Sequence, residues 1–161
     1  MKKILTTTFI LLTLVIAACD NGGDCNINNV SLYRTLFYGI NAETGEEERY
    51  QFTEQVSVSL MVNGTDSIVV NQLTAATELA LPMCYTQETD TVILQFGTIT
   101  NDTLFVEHTN IPYFISMDCG TGMYHNLKAV RHTTNFIDSA RIVYPFINFD
   151  AHENIKLYIA Q

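Results

Sequence analysis

The stretch Val56-Ser57-Val58-Ser59-Leu60-Met61-Val62-Asn63-Gly64-Thr65-Asp66-Ser67-Ile68-Val69-Val70 decides the fold class. Val56, Val58, Leu60 and Val62 recur at every second position, with Ser57, Ser59 and Met61 between them. A period of two places one set of side chains on each face of a strand. Asn63-Gly64 then interrupts the run. Both residue types tolerate positive φ, so the pair is a strong two-residue hairpin signal. Ile68-Val69-Val70 is the returning strand.

The same texture extends in both directions. Val92 to Phe96 and Leu104 to Val106 read as a second hairpin joined through Gly97 to Asp102. Further strands are expected at Val30 to Tyr38, Tyr113 to Met117, Met123 to Val130, Ile137 to Tyr144 and Ile155 to Ile159. Turn chemistry separates these runs, as in sandwiches and barrels. Leu73 to Leu81, with Ala75, Ala76, Glu78 and Ala80, has the propensity for a short helix ended by Pro82. An extended edge is the competing reading of that segment. The expected fold is all-β: a single antiparallel β-sandwich of Ig-like or Greek-key type.

The start of the chain supplies an address. Lys2 and Lys3 precede an apolar run from Ile4 to Ala17, and Ile16-Ala17-Ala18-Cys19 closes it. Such a run is too short to span a bilayer but fits a secretory signal. Small residues directly before Cys19 resemble a bacterial lipobox, in which the cysteine is acylated and becomes the new N-terminus. The expected organisation is a signal peptide over residues 1–18, a lipidated cysteine and short tether over 19–28, and a β-sandwich domain over 29–161. The expected partner is a membrane, held through acyl chains such as palmitate on Cys19. The expected location is the cell envelope, at the periplasmic or surface face of an outer membrane.

After such processing all 17 acidic residues remain but six of the eight basic ones, a formal charge of −11. Clustered Lys and Arg are what phosphate binding needs, so nucleic acid is excluded as an expected partner. Three cysteines besides Cys19 would lie in an oxidising compartment. Cys84 follows the apolar run Leu79 to Met83 and reads as a small buried hydrophobe. The favoured disulfide is Cys25–Cys119, whose long loop is worth roughly 4–5 kcal/mol in the chain-entropy account.

Chemistry is harder to find. Asp20 to Asp24 lacks the oxygen-ligand spacing of a calcium loop. Cys119, His125 and His132 match no common zinc spacing. On a continuous strand the two histidines would face opposite sides, and they read as partly exposed. Cys119 with either histidine and Asp138 has the residue types of nucleophilic catalysis but no supporting motif. No cofactor fingerprint is present. Tyr144, Phe146 and Phe149 flank Pro145 and would suit a carbohydrate or protein contact if exposed together.

One pattern exceeds chance. Four of the eight Asp residues precede Ser or Thr and then an apolar residue: Asp66-Ser67-Ile68, Asp90-Thr91-Val92, Asp102-Thr103-Leu104 and Asp138-Ser139-Ala140. Turn closure by Asp at strand entries explains it. Such triplets also resemble the O-glycosylation acceptor of Bacteroidota-type bacteria, which marks Ser67, Thr91, Thr103 and Ser139 as acceptor candidates.

Cys25, Asp66-Ser67-Ile68, Leu81-Pro82-Met83, Asp102-Thr103-Leu104, Phe114-Ile115-Ser116-Met117-Asp118-Cys119-Gly120 and Thr134 to Asp138 together carry a resemblance. The chain resembles a family of uncharacterised Bacteroidota lipoproteins, with Phe-Ile-Ser-x-x-Cys-Gly as its most specific segment. The resemblance implies a β-rich lipoprotein and an early-to-late cysteine pairing, and it supplies no activity. The functional expectation is a non-enzymatic envelope lipoprotein with a binding, accessory or structural role. The rivals are an envelope hydrolase using Cys119 with His125 or His132, and a divalent-metal binding module.

Overall fold

The computed structural model describes residues 30–98, 100–117 and 119–160. Cys19, Cys25 and the expected signal and tether therefore lie outside the described residues. Eleven strands follow in order: β1 (Leu32–Ile40), β2 (Glu47–Arg49), β3 (Val56–Val62), β4 (Thr65–Leu73), β5 (Glu78–Pro82), β6 (Thr89–Phe96), β7 (Thr100–Ser116), β8 (Gly120–His132), β9 (Ile137–Ile142), β10 (Phe146–Ile147) and β11 (Glu153–Ile159). No helix occurs among the described residues.

The strands form two sheets. The larger has the order β10-β8-β7-β6-β3-β4. The smaller has the order β2-β1-β11-β9, with β5 also paired to β1. Pairing is antiparallel except between β1 and β11, which run parallel. The sandwich expectation holds. Apolar faces of both sheets meet in one core, with Tyr33, Phe37, Leu81, Ile155 and Leu157 from the smaller sheet against Val58, Leu94, Leu104 and Val106 from the larger. Each large apolar side chain buried there contributes roughly 1.5–3 kcal/mol.

Asn63 and Gly64 form the turn between β3 and β4 with φ of 51° and 78°. The helix favoured by propensity over Leu73 to Leu81 is absent. Ala75 adopts a left-handed φ of 55°, and the carbonyls of Ala76 and Thr77 accept hydrogen bonds from the N–H groups of Phe52 and Phe37. Tertiary partners take the acceptors a helix would use internally, and Glu78–Pro82 becomes a strand on β1. The two short runs expected at Leu104 and Tyr113 are one strand of 17 residues. Pro112 is tolerated inside it because β6 pairs only as far as Glu107, leaving that edge free of ladder bonds.

Phe52 closes one end of the sandwich. Its ring packs on Phe37, Tyr50 and Phe96 with centroids 4.7, 5.0 and 4.9 Å away. Phe136 stacks on Phe96 at 5.0 Å. The opposite end is extended by the β7–β8 hairpin.

Candidate functional site

The Asp-Ser/Thr triplets have a core explanation at two positions. In β6 and β7 the period of two points Asp90 and Val92, and Asp102 and Leu104, inward. Thr91 and Thr103 lie on the outer face and are half-buried, as is Ser139, whereas Ser67 is exposed. Local turn closure is not what Asp102 does. Its carboxylate accepts from Thr133 Oγ1 at 2.6 Å and from the N–H groups of Asn135, Phe136 and Ile137 at 2.9, 2.7 and 2.8 Å. These partners are on the segment that crosses from the larger sheet to the smaller. An acceptor on β7 satisfies backbone donors that no ladder reaches.

Asp90 anchors a buried polar cluster. Its Oδ2 accepts from the Cys84 N–H at 3.1 Å and lies 3.4 Å from His108 Nε2. The His108 and His125 rings meet edge to face at 5.3 Å. His125 Nδ1 lies 2.7 Å from Asn110 Oδ1, and the Asn110 amide donates to the Gln87 carbonyl at 2.8 Å. With the Asn110 nitrogen so engaged, its oxygen accepts and His125 Nδ1 carries the proton. Burial first, and the neighbouring His108 second, push the His125 pKa down to about 4, while Asp90 pulls the other way. The fully buried Tyr33 phenol is pushed up by burial and by Asp90.

Two expectations about the histidines are corrected. His125 is buried, not partly exposed. His125 and His132 also lie on the same face. Glu107 pairs with Ala129 and His108 with Leu127, so Lys128 is an extra residue that reverses the alternation. His132 sits opposite Leu104 on the core side, half-buried at the periphery.

The catalytic candidates are dispersed. Cys119 is in the β7–β8 turn, and His125 is about 20 Å further along β8 at ~3.3 Å per residue. His132 is about as far again. Cys119 is disulfide-bonded and does not titrate; its expected partner Cys25 is outside the described residues. Cys84, expected to be buried, is half-buried and free, with Sγ 3.1 Å from Thr86 Oγ1. Among the described residues no three His, Cys, Asp or Glu side chains gather to hold a metal ion. Tyr144, Phe146 and Phe149 do not form one exposed patch. Tyr144 packs on His152 at 4.4 Å, whereas Phe146 and Phe149 pack on Tyr124 at 5.6 and 5.2 Å.

A groove of about 770 Å³ runs across the outer face of the larger sheet. Its floor follows from strand alternation. Val56, Val58, Leu94 and Phe96 turn inward, so Ser57, Ser59 and Gln95 face out. Its wall comes from β4. Register shifts between Val56 and Ser59 bulge the β3–β4 ladder, and Gln72, at φ 51°, donates its N–H to Ser57 Oγ at 3.0 Å. Bulges bend the strand that carries them. Asn71 and Gln72 thus overhang the serines, and Thr98 and Thr100 complete the far end. Glu54 is the single ionisable lining side chain. Hydroxyls and amides here both donate and accept, with no cation and no nucleophile–base pair. Alternation showed the polar floor; the wall, which depends on β4 bulging, left no sequence signal.

Residues 55–159 match the family model described as a family of unknown function, DUF6452, and the chain belongs to that family. No curated protein and no solved structure matches the chain.

Proposed function

We propose that this member of a family of unknown function is a lipid-anchored envelope protein that acts by binding. Acylation of Cys19 holds it at the outer membrane, and Cys25–Cys119 ties the tether to the domain. The groove on the larger sheet receives a neutral, hydroxyl-rich ligand such as a glycan chain. The carrying observation is the groove's lining: serine, threonine, asparagine and glutamine side chains beside the apolar Ile68, Phe96 and Phe136, with a single carboxylate. Such a surface exchanges hydrogen bonds with a polyol and offers no charge to select an anion. A volume of that order also falls within the usual range for small-ligand sites. Ser67 and Ser139, whose Asp neighbours are exposed, are the glycan acceptors this reading retains.

Two measurements test it. Intact mass of the protein from its native membrane is expected to show a chain starting at Cys19 with acyl groups added. Calorimetric titration with neutral oligosaccharides is expected to show binding that Ser59→Trp, which fills the groove, abolishes without loss of fold. A water-soluble chain retaining Met1, or equal oligosaccharide binding in the Ser59→Trp variant, overturns the reading. Hydrolytic activity lost in His125→Gln would favour the enzyme class instead.

A further inference from the structure

We infer that the tip of the β7–β8 hairpin is a bilayer-contacting surface that seats the domain on the lipid it is anchored to. The inference rests on the reading of Cys19 as the acylated residue.

Three independent observations converge on the tip. First, the hairpin projects. β6 leaves β7 at Glu107, and β10 pairs with β8 only at His125 and Asn126. The strand segments from Ile111 to Ser116 and from Gly120 to Tyr124 pair only with each other, extending about 17 Å at ~3.3 Å per residue. Second, the projecting part is apolar and nearly uncharged. Phe114 is 59% exposed and Met117, at the turn, 90% exposed. Ile111, on the other face of β7 at the base of the projecting part, is also exposed. From residue 108 to 127 the sequence contains no Lys, Arg or Glu and one Asp, at 118. Behind the tip, Tyr113 and Tyr124 stack at 4.5 Å and Phe149 packs on Tyr124. Aromatic rings with a polar edge suit the headgroup level of a bilayer.

Third, the chain enters the domain at this hairpin. The Ser31 hydroxyl donates to the Met123 carbonyl at 2.7 Å. Ten residues lie between Cys19 and Val30, so the span is at most about 40 Å of extended chain. With Cys25 joined to Cys119, the reach from the acyl group to the tip falls to about 20 Å. The anchor and the apolar tip therefore address the same surface. Exposed apolar side chains on a strongly acidic protein need a partner without fixed negative charge. A bilayer interface entered by apolar insertion meets that requirement, whereas polybasic attraction is unavailable here.

The chain has no tryptophan, so a single introduced one reports its own surroundings. Phe114→Trp and Met117→Trp are made in the full chain, purified with its acyl groups and reconstituted into phosphatidylcholine vesicles. Thr134→Trp, exposed at the opposite end, is the control. Emission of the two tip variants is expected to shift to shorter wavelength and to be quenched by brominated lipid, unchanged at high salt, while Thr134→Trp does neither. Acylated protein whose tip variants match the control overturns the inference and leaves the anchor reading standing. A tip shift seen in native envelope fractions but absent in pure lipid assigns the surface to a protein partner and overturns it too. Loss of acyl mass removes both the anchor and the tip's role.

Discussion

Replacing Asp102 with alanine tests how the two sheets are held together. The carboxylate is fully buried and receives four hydrogen bonds from residues 133 to 137. Thr133 and Asn135 are exposed, so their donors can turn to water when the acceptor is removed. The Phe136 and Ile137 N–H groups are less free: Phe136 packs in the aromatic end cluster and Ile137 is fully buried. Each buried donor left without a partner costs about 1–3 kcal/mol. Removing a buried charge returns part of its desolvation cost. The net expectation for Asp102→Ala is a loss of about 3–5 kcal/mol, a large share of the ~5–15 kcal/mol that stabilises a domain. Asp102→Asn keeps one acceptor oxygen and turns an NH₂ toward two donors, for about 2–3 kcal/mol by the same per-bond cost. Urea unfolding followed by far-UV circular dichroism measures both. Hydrogen exchange should quicken first at Phe136 and Ile137. A loss below about 1 kcal/mol for the alanine variant, or unchanged exchange at those two amides, refutes the clamp.

Four further outcomes follow from the geometry. Folding depresses the His125 pKa from 6.5 to about 4, so the fold favours neutral imidazole; that stability is complete above pH 6.5 and drains as pH falls toward 4, by on the order of 2 kcal/mol at pH 5, and His125→Gln should flatten the profile. Phe52→Ala removes the ring shared by Phe37, Tyr50 and Phe96 and should cost about 3–5 kcal/mol in the same unfolding assay. Maleimide on the native, unreduced protein should map by mass spectrometry to Cys84 and leave Cys119 unmodified until reductant is added. Ile68→Lys on the exposed edge strand β4 should change stability by less than about 0.5 kcal/mol yet lower self-association in sedimentation, since charge blunts an open edge.

Strand positions were legible wherever one face is buried and the other is not. Val56 to Val62 and Val92 to Phe96 kept the alternation that announced them, and Asn63-Gly64 made the turn its chemistry requires. The reading failed where a distant partner decides. The Ala75 to Ala80 segment follows Phe37 and Phe52 rather than its own propensity. Lys128 is a single extra residue, and nothing local marks it as the point where β8 reverses its faces. The Asp-Thr pairs were conspicuous, but the donors that explain Asp102 lie 31 to 35 positions away. Ser57 and Ser59 were legible as one face of a strand, but nothing marked them as half of a groove. Its other half depends on the bulged path of β4, which residue identity does not announce.

The first described strand and the last run side by side: Thr35 pairs with Ile155 and Tyr38 with Tyr158. β11 lies between β1 and β9, so β9 reaches the smaller sheet only through a strand that follows it in the chain. β1 can meet β2 and β5 without it, but β9 joins that sheet only once Glu153–Ile159 is in place. A truncation that removes Glu153–Ile159 would therefore leave a sheet with its middle missing rather than a frayed tail.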